Sequence, residues 1–148
     1  SSYYELGESD KALDYFNQSL ELRDRLDKED DPYVAESINK LANLYINLGE
    51  YIKGIEFYKE TLEILKNLYK DGHPDIAQLL YNIADSYQDL EDYNNALEYY
   101  KLSLEIRKVV YNDNDHVDIA NSLNSIANTY RNLNDFNKAI EYYEKSLE

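Results

Sequence analysis

Of 148 residues, 30 are acidic and 15 basic, giving a formal net charge of -15, and 43% are hydrophobic. That balance predicts a folded, strongly acidic chain and argues against nucleic acid and anionic membrane surfaces, which demand clustered Lys and Arg. With no cysteine there is no disulfide or thiol chemistry, so a cytoplasmic setting is expected, and no apolar run approaches the roughly 20 residues that span a bilayer.

Taken in order, the apolar spacing predicts a first helix over about Asp10 to Asp27, preceded only by the remnant Ser1 to Leu6 of a partner helix. The chain opens at Ser1 in mid-pattern without a signal peptide, as expected of a piece of something longer. From Pro32 to Leu48, Val34, Ile38, Leu41, Leu44, Tyr45 and Leu48 recur at three- and four-residue steps, the mark of an amphipathic helix that Gly49 stops. A longer helix follows from Tyr51 to Tyr69, ended by Asp71-Gly72-His73-Pro74.

The same pair then returns, as Ile76 to Leu90 with Tyr93 to Tyr111, and as Val117 to Leu133 with Phe136 to the end. Asp31-Pro32 and His73-Pro74 each place a side-chain acceptor at the N-cap and a proline at the first helical position. The third junction, Asn112-Asp113-Asn114-Asp115-His116-Val117, lacks the proline and carries one extra residue, which predicts the most mobile loop.

The repeat is explicit in the residues. Ala35-Glu36-Ser37-Ile38-Asn39-Lys40-Leu41-Ala42-Asn43-Leu44-Tyr45 comes back 42 residues on as Ala77 to Tyr87, and 43 further on as Ala120 to Tyr130. Such a period implies a stack of helix pairs, each too small to bury its own apolar face. The expected fold is an all-α, right-handed α-solenoid of antiparallel helix pairs. It forms a single array over 1–148, with a partial repeat at 1–34 and repeats at 35–76, 77–119 and 120–148. Stacking of this kind makes a long surface suited to holding another protein.

In the first full copy Ala42, Tyr45, Gly49, Tyr51, Gly54 and Tyr58 resemble the signature of the tetratricopeptide repeat. Ala84, Tyr87, Tyr93, Ala96 and Tyr100 follow in the second, and Ala127, Tyr130, Phe136, Ala139 and Tyr143 in the third. The period, the long second helix and the Gly72-His73-Pro74-Asp75-Ile76-Ala77 junction resemble the kinesin light chain subclass. Small residues at 42, 84, 127, 54, 96 and 139 suit helix crossings, because larger ones would push the axes beyond the roughly 8 to 10 Å at which helices pack.

The resemblance implies that the first helix of each pair lines a concave groove, with two positions four residues apart facing into it. These are Asn39 and Asn43, Tyr81 and Asp85, and Asn124 and Asn128, followed one turn on by Ile46, Asn47, Gln88, Asp89, Arg131 and Asn132. Asparagine offers both donor and acceptor, so a column of them can hold an extended peptide backbone whatever its sequence. Grooves that grip a C-terminal carboxylate resemble one another in carrying Lys and Arg at such positions, and Asn39, Asn43, Tyr81, Asp85, Asn124 and Asn128 include neither. Asp85 with Asp89 points towards a basic or neutral protein segment as partner.

No enzyme activity, cofactor or metal is expected. His73 and His116 recur at equivalent junctions, as caps do, and no nucleophile or ligand set accompanies them. Asp113 to Asp118 has the opening of a calcium loop, but the sixth-place glycine is missing and the twelfth place is Asn124. The glutamates of the second helices, such as Glu56, Glu98 and Glu141, read as a solvated outer face. Two alternatives remain open. Bare apolar ends around Ala12, Phe16 and Leu20, and around Ile140, Tyr143 and Leu147, would let copies stack end to end. The array could also be the regulatory arm of a larger enzyme.

Overall fold

The computed structural model describes Asp14, Asn17, Gln18 and Glu21 together with residues 32–69, 72–111 and 116–147. Contacts divide the chain into two compact units, Ser1–Tyr69 and Lys70–Glu148. The first holds α1 (Pro32–Asn47) and α2 (Tyr51–Leu68). The second holds α3 (Pro74–Asp89), α4 (Tyr93–Val110), α5 (Val117–Asn132) and α6 (Phe136–Leu147). The fold is all-α, with no strand among the described residues. Of the helix expected over Asp10 to Asp27, the four described residues are helical. Ala12, Phe16 and Leu20, the cap Asp31 and the loop Asn112 to Asp115 lie outside the described residues.

Each first helix ends in the same tight turn. Gly49 takes a φ of 82°, and the backbone amides of Gly49 and Glu50 bond the carbonyls of Ile46 at 3.0 Å and Tyr45 at 2.9 Å. That double closure satisfies carbonyls left over at a helix end and turns the chain back into the next helix. Glu91, with a φ of 60°, and Asn134, with 65°, hold the equivalent place with the same pair of bonds.

The starts of α3 and α5 are capped as the junction sequences lead one to expect. Nδ1 of His73 accepts from the Asp75 amide, and Nδ1 of His116 accepts from the Asp118 amide, both at 3.1 Å. Asp75 and Asp118 add a carboxylate in the first turn, where the helix dipole favours it. Asp92 caps α4 by accepting from the Asn95 amide at 3.4 Å.

Within each hairpin the crossing point is built from small residues. Ala42, Ala84, Ala96 and Ala127 have no solvent exposure, and Gly54 and Ala139 are buried with them. A Cβ at Gly54 would run into the Ile46 side chain and stand 3.2 Å from the Ala42 carbonyl. In the second unit Tyr100, Leu104, Leu123, Ile126 and Tyr130 form one core with Ala84, Ala96 and Ala139. Burial of such faces, at about 25 cal/mol per Å², is what holds hairpins together that could not stand alone.

Candidate groove face

Three interactions recur from hairpin to hairpin and position the candidate residues. The hydroxyls of Tyr58, Tyr100 and Tyr143, on second helices, donate to Asn43 Oδ1, Asp85 Oδ1 and Asn128 Oδ1 on the preceding first helices. A stacked aromatic pair sits beside each: Tyr45 with Phe57, Tyr87 with Tyr99 and Tyr130 with Tyr142, their centroids 5.4, 5.6 and 5.5 Å apart. The late small residue of the second helix also turns its hydroxyl to a carbonyl, Ser103 Oγ to Ala77 O at 2.7 Å and Ser146 Oγ to Ala120 O at 3.5 Å.

Asn43 and Asn128 are therefore held by tyrosine and not freely solvated. Each of these side-chain oxygens accepts from a tyrosine hydroxyl, which fixes the orientation of the amide. At Asp85 the same tyrosine bond leaves the second carboxylate oxygen, an acceptor.

In the second unit α3 and α5 are tied along this face. Tyr81 and Ser125 share a hydrogen bond of 2.6 Å between their hydroxyls, and Thr129 Oγ1 donates to Gln88 Oε1 at 3.1 Å. Asp85, Asp89, Asn124, Arg131 and Asn132 are exposed, while Tyr81, Gln88 and Asn128 are half-buried. In the first unit Asn43 and Asn47 are exposed and Ile46 is half-buried. Asn39 is half-buried, its Oδ1 enclosed and without a hydrogen-bond partner.

Crowding perturbs the ionisable groups here. Asp85 is exposed as a residue, but desolvation of its carboxyl where it meets the Tyr100 hydroxyl raises it above the ordinary carboxylate range, and the nearby Asp89 charge adds to this, against the opposing pull of the Tyr100 bond and the Arg107 charge. Burial, and then the bond to Asp85, hold the Tyr100 hydroxyl far above its ordinary range, so it remains a donor. Tyr81 is raised as well, chiefly by burial.

Arg107 is the residue that reading the sequence missed. It lies 5% exposed beneath the face, with Nη1 donating to Ser122 Oγ at 2.7 Å and to the Asp118 carbonyl at 3.3 Å. Nη2 donates to Gln78 Oε1 at 3.2 Å, and the guanidinium lies 4.7 Å from the centre of the Tyr81 ring. A signal was present, because Arg107 takes the repeat position that Leu65 fills one copy earlier, on the apolar side of the helix.

Among the described residues no group of three or more His, Asp and Glu could hold a metal ion, and no helix is long and apolar enough to cross a membrane.

The sequence matches the tetratricopeptide repeat over residues 1–67, 33–108 and 75–148, which together take in the whole chain. The chain belongs to the tetratricopeptide repeat family. Among curated proteins nothing matches it. Solved tetratricopeptide-like structures share its fold. BtubC (BKLC) from P. vanneervenii superposes with a TM-score of 0.83 at 22% identity, over 97% of this chain and 57% of that one. A kinesin-light-chain-type protein of nearly identical TPR-like repeats from Podosopora anserina gives 0.79 at 18% identity, over 98% of this chain and 68% of that one. The TPR domain of Arabidopsis FLU gives 0.66 at 25% identity, over 76% of this chain and 91% of that one. The chain thus spans little more than half the length of BtubC. Tetratricopeptide repeat proteins are in general protein-interaction scaffolds, and they bind protein or peptide partners.

Proposed function

We propose that this chain is a protein-interaction module that holds an extended or helical segment of a partner along its first helices, with a basic or neutral segment favoured. The observation that carries the reading is the recurrence of Asn43, Asp85 and Asn128 at one repeat position, each oriented by a tyrosine from its own hairpin. An oriented side chain loses less freedom on binding than a loose one, and in the second unit Asp85 and Asn128 together offer hydrogen bonds to a backbone without demanding a particular sequence. The negative field of Asp85 and Asp89 supplies charge preference and faster encounter with basic segments.

The experiment compares three proteins in a pull-down from native extract, followed by titration with the captured partner. Asn124→Ala with Asp89→Lys alters two exposed face residues, and Glu98→Gln with Glu105→Gln alters the outer face. Binding should fall about tenfold or more in the first variant, with unchanged melting temperature, and stay at the parental level in the second. Parental affinity in the face variant, with loss in the outer-face variant, would move the interaction to the glutamate surface.

A further inference from the structure

We propose that Arg107 is a positioning residue for Asp85 on the candidate face of the second unit, acting through the rings of Tyr81 and Tyr100; this rests on the reading of that face as a binding surface. The links are continuous. The Arg107 guanidinium lies 4.7 Å from the Tyr81 centroid. The Tyr81 ring meets Tyr100 edge-on, with centroids 5.2 Å apart and planes at 63°. The Tyr100 hydroxyl donates to Asp85 Oδ1. Each link is directional: a cation sits over a π face, an aromatic edge meets a face, and a donor aims at one oxygen of two. Displacing the first member therefore turns the others.

Arg107 itself has little freedom, since Ser122, Gln78 and the Asp118 carbonyl hold both terminal nitrogens. Comparison of the hairpins sharpens the case. In the first unit the corresponding positions are Leu65, Asn39 and Asn43, without cation, ring or carboxylate. The cation and the ring thus stand in the same copy that carries an acid on the groove position.

Arg107 does not instead serve as an anion site. The cleft of about 240 Å³ beside it is lined by Asp75 and Asp118 as well as Gln78 and Tyr111, and two carboxylates at its walls repel an anionic ligand. Its charge is directed inwards, where it opposes the repulsion between Asp85 and Asp89. The charged and titratable groups facing this cluster include Asp75, Asp85, Asp89 and Tyr81 from α3, Tyr100 and Arg107 from α4, Tyr111 just beyond it, and Asp118 from α5.

The test needs no ligand, so its failure is separable from failure of the binding reading. Carbon-detected NMR follows the Asp85 carboxyl during acid titration of the free protein, and proton cross-peaks report the Tyr81 and Tyr100 ring contact. In Arg107→Gln the Asp85 midpoint should move upwards and the ring cross-peaks weaken. In Arg107→Lys the charge remains but the planar fork is lost, so the midpoint should stay nearer the parental value while the cross-peaks still weaken. A folded Arg107→Gln protein with parental midpoint and cross-peaks overturns the proposal. Should that variant not fold, Arg107→Lys decides alone, and unchanged ring cross-peaks overturn it.

Discussion

Tyr100 donates its hydroxyl proton to Asp85, 15 residues earlier in the chain, and the same bond at the same spacing joins Tyr58 to Asn43 and Tyr143 to Asn128. One structural bond per hairpin thus uses an acceptor on the face proposed above to meet a partner, and on that proposal a change to the bond alters stability and recognition together.

Replacing the donors tests that coupling. Tyr58→Phe and Tyr143→Phe should each cost about 0.5 to 1.5 kcal/mol, and Tyr100→Phe about 1.5 to 3 kcal/mol because its acceptor is a carboxylate. Urea denaturation of the three variants checks the ranking. Equal, negligible losses would mean that the tyrosine hydroxyls are satisfied by water.

Asp85 should make stability depend on pH with an unusual sign. Its carboxyl is raised in the fold, chiefly by burial, so the native state binds more protons than the unfolded chain through that window. Stability contributed by the protonated form is fully present below the ordinary carboxylate value of about 4 and is lost as pH rises through the elevated native value. Asp85→Asn leaves Tyr100 an acceptor of the kind that Asn43 and Asn128 already provide. The variant should be at least as stable as the parent at pH 7 and show a flatter profile across the acidic range. Denaturation midpoints measured at several pH values decide it, and an identical slope would discount Asp85 as the source.

Glu91 stands where the first unit has Gly49, with a left-handed φ of 60° that side chains other than glycine adopt at a cost. Glu91→Gly should raise stability by up to about 1 kcal/mol, the relief of strain exceeding the added freedom of the unfolded chain. Differential scanning calorimetry should record a higher Tm, and a lower one would show that the turn tolerates glutamate without strain.

Ala84 is fully buried at the helix crossing, whereas Glu98 is exposed on α4. Ala84→Leu should destabilise by about 1 to 3 kcal/mol or more through overpacking, and Glu98→Gln by less than about 0.5 kcal/mol. Thermal melts of the pair give the answer, and coincident melting temperatures would contradict the packing of this hairpin.

The fold was legible because it is local and repeated. Apolar residues at helical spacing, the stop at Gly49 and the caps at His73 and His116 each depend on a few consecutive residues, and repetition exposed them. The alanines at 42, 84 and 127 could be placed at crossings for the same reason. The orientation of the face residues was not legible, because Tyr58 with Asn43 or Tyr81 with Ser125 are partners across a hairpin or between hairpins. Packing engages the oxygens of Asn43 and Asn128 with tyrosine, a pairing that no run of consecutive residues encodes. Arg107 belongs to the same class. Its repeat position, that of Leu65, marks the apolar side of the helix, but only the packing of α3 and α5 gives it Gln78, Ser122 and the Tyr81 ring. Periodicity determines which side of a helix is apolar; which polar atoms meet on that side is decided when the helices pack.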